Sequence, residues 1–273
     1  MTVFNLTDED FKTLVTYVQK NFGINLTQKR TLIEGRLTNM LRDRGIASFH
    51  DYLNILFNDK SGKEINELLN KLTTNHTFFL REQEHFDYLR EVVLPYLEKT
   101  CKNNEMRIWS AACSSGQEAY TIAMIIDEYF GNNKGKWDTT ILATDISYDM
   151  LAKGQAATYP DTVLEEIPDS WAKKYFKKNG DGTVTVCDKI KKEVVFRPFN
   201  LMDNFPFHKP FDLIFCRNVM IYFDAPTKVA LVNRFYDVTR DGGYFFIGHS
   251  ETISKGETKF NYLKPAMYRR GGD

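Results

Sequence analysis

The regular alternation of short β-rich runs with helical stretches after residue 106 limits most strongly how this chain can fold. The runs that indicate strands are residues 107–112, 140–144, 194–199, 211–216 and 244–247. Helical patterns stand between them, at residues 118–130, 147–156 and 226–239. Such alternation is typical of βαβ units, in which helices connect the strands of a parallel sheet. The pattern therefore predicts a doubly wound α/β domain over residues 106–273.

Residues 171–192 interrupt this alternation. Asn179-Gly180-Asp181-Gly182 lies between polar runs, and Val184 and Val186 alternate with threonines behind it. A turn of this composition followed by alternating apolar residues is typical of a β-hairpin. We therefore expect a small antiparallel β-subdomain inserted near residues 171–192.

The first 72 residues have a different, helical periodicity. Thr7 with Asp10 and Ser48 with Asp51 have the spacing of helix N-caps. Helices are expected from near residue 8, over 27–45, from 48 onward and over 63–72. This indicates an all-helical N-terminal domain, residues 1–72, joined to the α/β domain by a linker and connecting helix over 73–105.

Charge, cysteines and hydropathy exclude several classes of protein. The 36 basic and 36 acidic side chains cancel, so no overall field attracts nucleic acid or an anionic membrane. The 4 cysteines and 5 histidines are scattered, so no metal site is expected. No apolar run approaches the about 20 residues of a membrane span, and the first residues lack the pattern of a signal peptide. We expect a cytoplasmic protein with reduced thiols and no membrane insertion.

Polar side chains follow three of the predicted parallel strands. The loop 113–118 follows the first strand, Asp145 ends the second, and Arg217 and Asn218 follow the strand 211–216. Ligands of open α/β sheets bind at the carboxyl ends of the strands, where an acidic residue of the second strand commonly accepts hydrogen bonds from a ribose. This edge of the sheet is therefore the predicted ligand site.

Each of these features also has a purely structural explanation. Gly116 suits an ordinary strand-to-helix turn, and Asp145 or Ser147 suits a helix N-cap. Arg217 suits a surface cation, and Tyr222 a core aromatic with a hydrated hydroxyl. The fingerprint Gly-x-Gly-x-x-Gly is absent, which disfavours a pyrophosphate cradle and a nicotinamide oxidoreductase.

Two further segments are candidates for binding. The stretch 72–82 is polar at Asn75, Thr77 and Arg81 and apolar over 78–80, and a helix cap at Thr77 is its simplest explanation. The second predicted helix carries an excess of positive charge: Lys29, Arg30, Arg36, Arg42 and Arg44 against Glu34 and Asp43. This excess of charge is compatible with binding to an acidic partner. It is equally compatible with a solvated helix that binds no partner.

Five blocks of the sequence resemble the chemotaxis receptor methyltransferase (CheR) family. They are Leu72-Thr-Thr-Asn-His-Thr-Phe-Phe-Leu-Arg-Glu82, Ser110-Ala-Ala-Cys-Ser-Ser-Gly-Gln-Glu118, Ala143-Thr-Asp-Ile-Ser147, Phe215-Cys-Arg-Asn-Val-Met-Ile-Tyr-Phe-Asp224 and Gly242-Gly-Tyr-Phe-Phe-Ile-Gly-His-Ser-Glu251. The resemblance covers nearly the whole chain in order. It implies a Rossmann-like methyltransferase sheet, S-adenosylmethionine as methyl donor, S-adenosylhomocysteine as product and receptor glutamate side chains as acceptors.

The resemblance also assigns roles to individual residues. It implies that Tyr222 and Arg217 line the reacting centre, and that Asp145 binds the ribose and Glu118 the methionine end. It places Asn200 and Leu201 beside the adenine and Asn218 beneath the reacting centre. The other residues that it places in the cofactor pocket are Asn75, Thr77 and Arg81. It implies that the basic helix 27–44 faces the receptor methylation region and that the hairpin 171–192 can clamp a receptor tail peptide.

Two other functions are compatible with such a fold. One is a methyltransferase acting on a small molecule or nucleic acid, and the other is an adaptor that binds receptors and senses S-adenosylmethionine without turning it over.

Overall fold

The structure, a computed structural model, describes residues 5–254 and 256–271. The chain divides into two compact units. The first comprises the residues up to Asn75 together with Tyr222–Thr227, and the second comprises His76–Ile221 together with the residues from Lys228 onward. Within the described ranges, no helix is both long enough and apolar enough to cross a bilayer.

Four helices build most of the first unit: α1 Asp8–Phe22, α2 Arg30–Asp43, α3 Phe49–Asn58 and α4 Lys63–Leu72. The two predicted caps are confirmed, since Thr7 accepts a hydrogen bond from Asp10 N and Ser48 accepts one from Asp51 N. Helix α2 begins three residues later than expected, because the Asn25 side chain accepts hydrogen bonds from both the backbone N–H and the hydroxyl of Thr27 and so holds this segment as a turn. The apolar side of α2 is buried and consists of Ile33, Leu37, Met40 and Leu41.

A distant segment completes the first unit. Asn25 N donates to the Tyr222 carbonyl at 2.8 Å, and Ile24 and Phe223 form an antiparallel bridge. Gln19 Nε2 donates to Asp224 Oδ2 at 2.9 Å. These contacts join residues far apart in the chain, so the periodicity of the sequence gave no sign of them.

The second unit contains all the strands of the described residues. They are β1 Ile108–Ala111, β2 Ile141–Asp145, β3 Thr158–Pro160, β4 Phe176–Lys178, β5 Thr183–Val186, β6 Val194–Pro198, β7 Phe211–Cys216, β8 Thr239–Ile247, β9 Asn261–Lys264 and β10 Met267–Arg269. The remaining helices are α5 Glu84–Tyr88, α6 Leu94–Thr100, α7 Gln117–Phe130, α8 Tyr148–Ala156, α9 Asp169–Tyr175, α10 Asp188–Lys191 and α11 Ala225–Val238. A π-helical turn, Leu89–Val93, joins α5 to α6.

The main sheet has seven strands in the order β6-β2-β1-β7-β8-β10-β9. Strands β6, β2, β1, β7 and β8 are parallel, and β10 is antiparallel to both of its neighbours. The strand order reverses around β1, as in a doubly wound fold, so the predicted fold class is confirmed. Ligands in such sheets bind at the carboxyl ends of the strands next to this reversal.

Aromatic rings fill the core beside the main sheet. Trp109 is fully buried, and its ring is within 6 Å of the rings of five phenylalanines: Phe199, Phe205, Phe207, Phe211 and Phe235. Its indole N–H donates to Thr144 Oγ1 at 2.9 Å, so the one polar atom of the ring is satisfied. This packing fixes β1 against β2 and with them the edge where the predicted site lies.

The predicted antiparallel sheet is present, and it has three strands in the order β3-β5-β4. Strand β3, which begins two residues after α8 and ends in a proline, was not predicted from the sequence. Tyr159 of β3 donates its hydroxyl to the Ser115 carbonyl at 2.7 Å, and its ring packs on Phe79 at 5.4 Å. The small sheet therefore supports the loop that follows β1.

Candidate functional site

The loop after β1 has an unusual backbone. Ala112, Ser114 and Gly116 all have positive φ angles, of 62°, 49° and 93°. A Cβ on Gly116 would lie 2.8 Å from the ring of Phe196, so both the conformation and the space require glycine. Left-handed non-glycine residues cost free energy and concentrate at functional sites, which supports a binding role for this loop.

Asp145 lies at the carboxyl end of β2 and is buried. Its Oδ2 accepts from Ser114 N at 2.8 Å, and its Oδ1 accepts from Ser147 N at 2.9 Å. Burial raises the pKa of Asp145 above its usual value, although these backbone N–H groups oppose the rise. Ser147, which accepts from Met150 N, is the N-cap of α8. Asp145 instead joins the loop after β1 to the loop after β2.

Arg217 follows β7 and is the centre of a buried ion network. Its side chain is 2% exposed, with Nη1 3.0 Å from Glu118 Oε2 and Nη2 3.1 Å from Glu82 Oε2. Nη2 also donates to the Arg81 carbonyl. The alternative interpretation of Arg217 as a surface cation is therefore wrong, because its charge is compensated inside the protein by two carboxylates.

Glu82 and Glu118 complete this network. Burial alone would raise the pKa of Glu82, but the charge of Arg217 and hydrogen bonds from Asn218 and Arg217 lower it below its usual value. Glu82 Oε1 accepts from Asn218 Nδ2 at 3.0 Å, and Oε2 accepts from His249 N at 3.1 Å. Glu118 Oε1 accepts from the Ser110 hydroxyl at 2.6 Å. Glu118 was predicted as a site residue, whereas Glu82 was quoted only as the end of a motif.

Glu251 is a second residue whose role the sequence did not reveal. Its buried carboxylate accepts hydrogen bonds from the backbone N–H groups of Asn218, Met220, Ile221 and Gly248, at 2.6–3.3 Å. Burial raises the pKa of Glu251, and the N–H groups oppose the rise. Glu251 thus fixes the turn after β7, in which Asn218 has a φ of 58°.

We expect Glu251→Gln to lower the free energy of unfolding by about 1–3 kcal/mol, because the new amide N–H₂ would face backbone donors that lose their acceptor. Affinity for S-adenosylmethionine, the cofactor that the sequence resemblance implies, should fall with it, since the turn also carries Arg217. Chemical denaturation and calorimetric titration measure the two effects. Glu257→Gln, at an exposed position, is the control and should change neither quantity. Wild-type stability in Glu251→Gln would contradict the assigned role.

Thr77 and Arg81 lie before this network. The helix after them begins at Glu84, so the predicted helix cap at Thr77 is wrong. The chain makes turns here instead, and Leu80 and Glu82 have φ angles of 57° and 58°. Arg81 donates to the His76 carbonyl at 2.6 Å, and Thr77 is half-buried.

Asn200 and Leu201 lie in the loop after β6. Asn200 Oδ1 accepts from Met202 N at 3.0 Å, and Leu201 is buried. Arg234 of α11 donates to the carbonyls of Leu201 and Asp203 at 2.7 and 2.8 Å. The loop is therefore fixed by a cation that the sequence analysis had not singled out.

Two predicted site residues belong to the first unit. The Tyr222 hydroxyl donates to the Thr74 carbonyl at 3.2 Å, and Thr73 Oγ1 lies 3.4 Å from Asn75 Oδ1. Tyr222 is half-buried rather than part of a closed core. These contacts give the segment 73–75 a defined conformation next to Tyr222.

Most arginines of the basic helix form hydrogen bonds or ion pairs with other residues of the first unit. Arg36 donates to the carbonyls of Lys71, Leu72 and Thr73 and so caps the end of α4. The other internal partners are Glu64 and Glu67 for Arg44, and Asp8 for Arg30. Lys29 and Arg42 are exposed.

The residues at the sheet edge fit S-adenosylmethionine better than a dinucleotide. Arg217 Nε is buried and has no hydrogen-bond partner in the described residues, so it is an available donor for a carboxylate such as that of the methionine moiety. Glu118 and Asp145 supply acidic groups on either side of the left-handed loop. The loop has a single glycine at the start of α7, which does not suit a pyrophosphate.

The fold and this edge define a Rossmann-like α/β protein with a ligand site at the carboxyl ends of its parallel strands. Residues 75–268 match the family described as CheR methyltransferase, SAM binding domain, and residues 9–73 match CheR methyltransferase, all-alpha domain. The chain belongs to the CheR methyltransferase family and is an S-adenosylmethionine-dependent methyltransferase.

Three curated proteins show the extent of the similarity. The chemotaxis protein methyltransferase of Borreliella burgdorferi is 43% identical over 97% of this chain and 95% of its own length. The probable chemotaxis protein methyltransferase of Rhizobium etli is 38% identical, over 92% of this chain and 96% of its own. The chemotaxis protein methyltransferase of Escherichia coli is 34% identical, over 98% and 93%. The similarity therefore extends over both the helical and the α/β parts.

Proposed function

We propose that this methyltransferase transfers the methyl group of S-adenosylmethionine to glutamate side chains of bacterial chemoreceptors, forming methyl esters and S-adenosylhomocysteine during chemotactic adaptation. Family membership and the names of its relatives support the reaction and its setting in chemotaxis. The structural observation that carries the proposal is Arg217, buried between Glu82 and Glu118 at the end of β7. The Nε of this arginine has no hydrogen-bond partner in the described residues, so it is a donor suited to a carboxylate-bearing ligand.

The reaction requires orientation more than acid–base chemistry. An unperturbed glutamate has a pKa of about 4.3, so near neutral pH it is already a carboxylate nucleophile and needs no general base. Bound S-adenosylmethionine supplies a methyl group made electrophilic by its sulfonium. Holding the acceptor oxygen in line can contribute about 7–11 kcal/mol to catalysis. A rigid site of the kind that Arg217, Glu118 and Asp145 form is suited to this task.

The proposed cofactor contacts follow the roles assigned above. Asp145 would bind the ribose, and Glu118 and Arg217 the methionine end. Asn200 and Leu201 would border the adenine. The remaining proposed contacts are Asn75, Thr77, Arg81 and Asn218, and Arg217 and Tyr222 would line the reacting centre.

We expect Tyr222→Phe to lower the rate of methyl transfer about tenfold or more while changing S-adenosylmethionine affinity less than threefold. The hydroxyl is proposed to orient the reacting groups rather than to bind the cofactor, and positioning effects of this kind appear in kcat. Single-turnover methylation and calorimetric titration measure the two quantities. Tyr262→Phe, at an exposed position, is the matched control. Equal losses in binding and turnover would show that the assigned role is wrong.

The proposed receptor contact on helix α2 involves fewer cations than the sequence indicated. Arg30 and Arg44 form ion pairs within the first unit, and Arg36 donates to backbone carbonyls there. Lys29 and Arg42 are exposed and form no ion pair in the described residues, although Arg42 donates to Asn39 Oδ1. Opposite charges at a docking surface chiefly raise the association rate and make it dependent on salt. Lys29 and Arg42 are therefore the proposed contacts for an acidic receptor surface.

The double variant Lys29→Glu/Arg42→Glu should raise the KM for receptor at low salt about fivefold or more, with less effect at high salt. Its affinity for S-adenosylmethionine and its unfolding midpoint should stay at wild-type values. Lys60→Glu/Lys63→Glu, which reverses two exposed charges outside α2, is the control. Equal KM values for the two double variants would exclude docking through α2.

The small antiparallel sheet is the proposed site for a receptor tail peptide. Strand β5 is central, so β4 is an edge strand, with Lys177 and Lys178 exposed. An extended peptide can add to such an edge through backbone hydrogen bonds. Two lysines beside the edge would favour an acidic peptide.

Base lability of the product distinguishes the proposed reaction from its alternatives. After incubation with methyl-labelled S-adenosylmethionine and chemoreceptor-rich membranes, carboxyl methyl esters release volatile labelled methanol in base. Methylated nitrogen or carbon does not, so a stable label would favour a different acceptor. Binding of S-adenosylmethionine without any labelled product would favour the adaptor.

A further inference from the structure

The second unit contains a histidine pair that the sequence analysis did not anticipate. His85 of α5 is fully buried, and its ring stacks on Phe246 at 5.4 Å. Neither of its ring nitrogens has a hydrogen-bond partner in the described residues. Nδ1 lies 3.4 Å from Glu82 Oε2, but the geometry is not that of a hydrogen bond. A buried imidazole with both nitrogens unsatisfied is costly unless something binds to it.

His249 lies next to this ring. The ring centroids of His85 and His249 are 4.7 Å apart. His249 is partly exposed at the start of the loop after β8, and its backbone N–H donates to Glu82 Oε2. One potential ligand atom from each of Glu82, His85 and His249 lies within 4.8 Å of the other two. A carboxylate and two imidazoles therefore lie close together, and His249 is the member of the group that is exposed to solvent.

We propose that Glu82, His85 and His249 form a binding site for a divalent transition-metal ion such as Zn²⁺ or Co²⁺. Two imidazole nitrogens and one carboxylate oxygen are a common ligand set for these ions and leave a position open for water. Zinc–ligand bonds of about 2.0–2.2 Å require ligand atoms somewhat closer together than 4.8 Å. Metal binding therefore requires rotation of the partly exposed His249 side chain, whose Nε2 lies 3.7 Å from Glu84 Oε2.

The positive charge of Arg217 determines how strongly a metal ion would bind at this site and how binding would affect methyl transfer. Arg217 Nη2 is 3.1 Å from the Glu82 oxygen that also faces His85. Its positive charge opposes a metal ion, so binding is expected to be weaker than at a structural zinc site. A bound ion would compete with Arg217 for Glu82 and weaken the network beside the proposed methionine position. The site is thus inhibitory: occupancy lowers methyl transfer.

Titration with Co²⁺, followed by its visible absorption, tests the site on the full chain. The wild-type protein should bind one ion with the spectrum of nitrogen and oxygen ligands and without the intense band of thiolate coordination. This distinction matters because the protein has four free cysteines. His249→Ala keeps the backbone N–H on Glu82, and it should weaken binding at least about tenfold. His208→Ala removes an exposed histidine elsewhere and should bind as wild type does.

Activity gives a second, separate measurement. Zn²⁺ should inhibit methyl transfer by the wild type, a chelator should reverse the inhibition, and His249→Ala should be inhibited less. Absence of Co²⁺ binding, a thiolate spectrum, or equal affinity in wild type and His249→Ala would overturn the proposal. These binding results do not depend on whether receptors are the methyl acceptors.

Discussion

Replacement of Arg217 with methionine should lower the free energy of unfolding by about 3–5 kcal/mol and reduce methyl transfer at least about a hundredfold. Methionine fills much of the same space but leaves Glu82 and Glu118 without their shared cation. Unpaired carboxylates inside a protein are far more costly than the absence of the whole ion pair. Urea unfolding followed by tryptophan fluorescence gives the stability, and labelled methyl transfer gives the activity.

Two further variants distinguish the loss of the Arg217 ion network from the general effect of removing an arginine. Arg90→Met removes an arginine whose side chain is 50% exposed, and it should cost less than about 1 kcal/mol. Adding Glu82→Gln to Arg217→Met should restore part of the stability, since one unpaired charge is then absent. A stability of Arg217→Met within 1 kcal/mol of wild type would contradict the network.

The effect of Arg217→Met should also depend on pH. The folded state lowers the pKa of Glu82, so this carboxylate stabilises the wild type at pH values above its unfolded pKa of about 4.3. That contribution disappears as the pH falls through the lower, folded pKa, because Glu82 then becomes protonated. The difference in stability between wild type and Arg217→Met should therefore shrink in acid.

Replacement of Asp145 with alanine should weaken S-adenosylmethionine binding at least about tenfold. The backbone N–H groups of Ser114 and Ser147 lose their acceptors, at a cost of about 1–3 kcal/mol, and the proposed ribose contact is lost as well. Calorimetric titration measures the affinity. Asp161→Ala removes an exposed carboxylate outside the site and should bind normally. Unchanged affinity in Asp145→Ala would exclude the ribose contact.

Local sequence patterns predicted those parts of the fold that depend on near neighbours. The caps at Thr7 and Ser48, helix α4 and strand β7 agree with expectation because capping and apolar periodicity are local properties. Strand β3 was missed because three residues ending in proline carry little β signal, and it forms only by pairing with β5. Strands β9 and β10 were missed for a similar reason, since they pair mainly with each other and with β8.

The sequence predicted the residues that carry the chemistry of the candidate site. It did not predict the residues that hold them in place. Asp145 ends β2 and Arg217 directly follows β7, so topology alone placed them at one edge of the sheet. Glu82 and Glu251 act through hydrogen bonds to residues far away in the chain, which no local pattern encodes. The pairing of His85 with His249 likewise depends on where α5 packs against the end of β8.

Mass spectrometry of chemoreceptors treated with this protein and S-adenosylmethionine shows whether the protein methylates receptor glutamates. We expect receptor peptides with one added methyl group on glutamate side chains, removed by mild base and absent when Arg217→Met replaces the wild type. Methyl groups on nitrogen, or receptor peptides without added methyl under saturating S-adenosylmethionine, would contradict it.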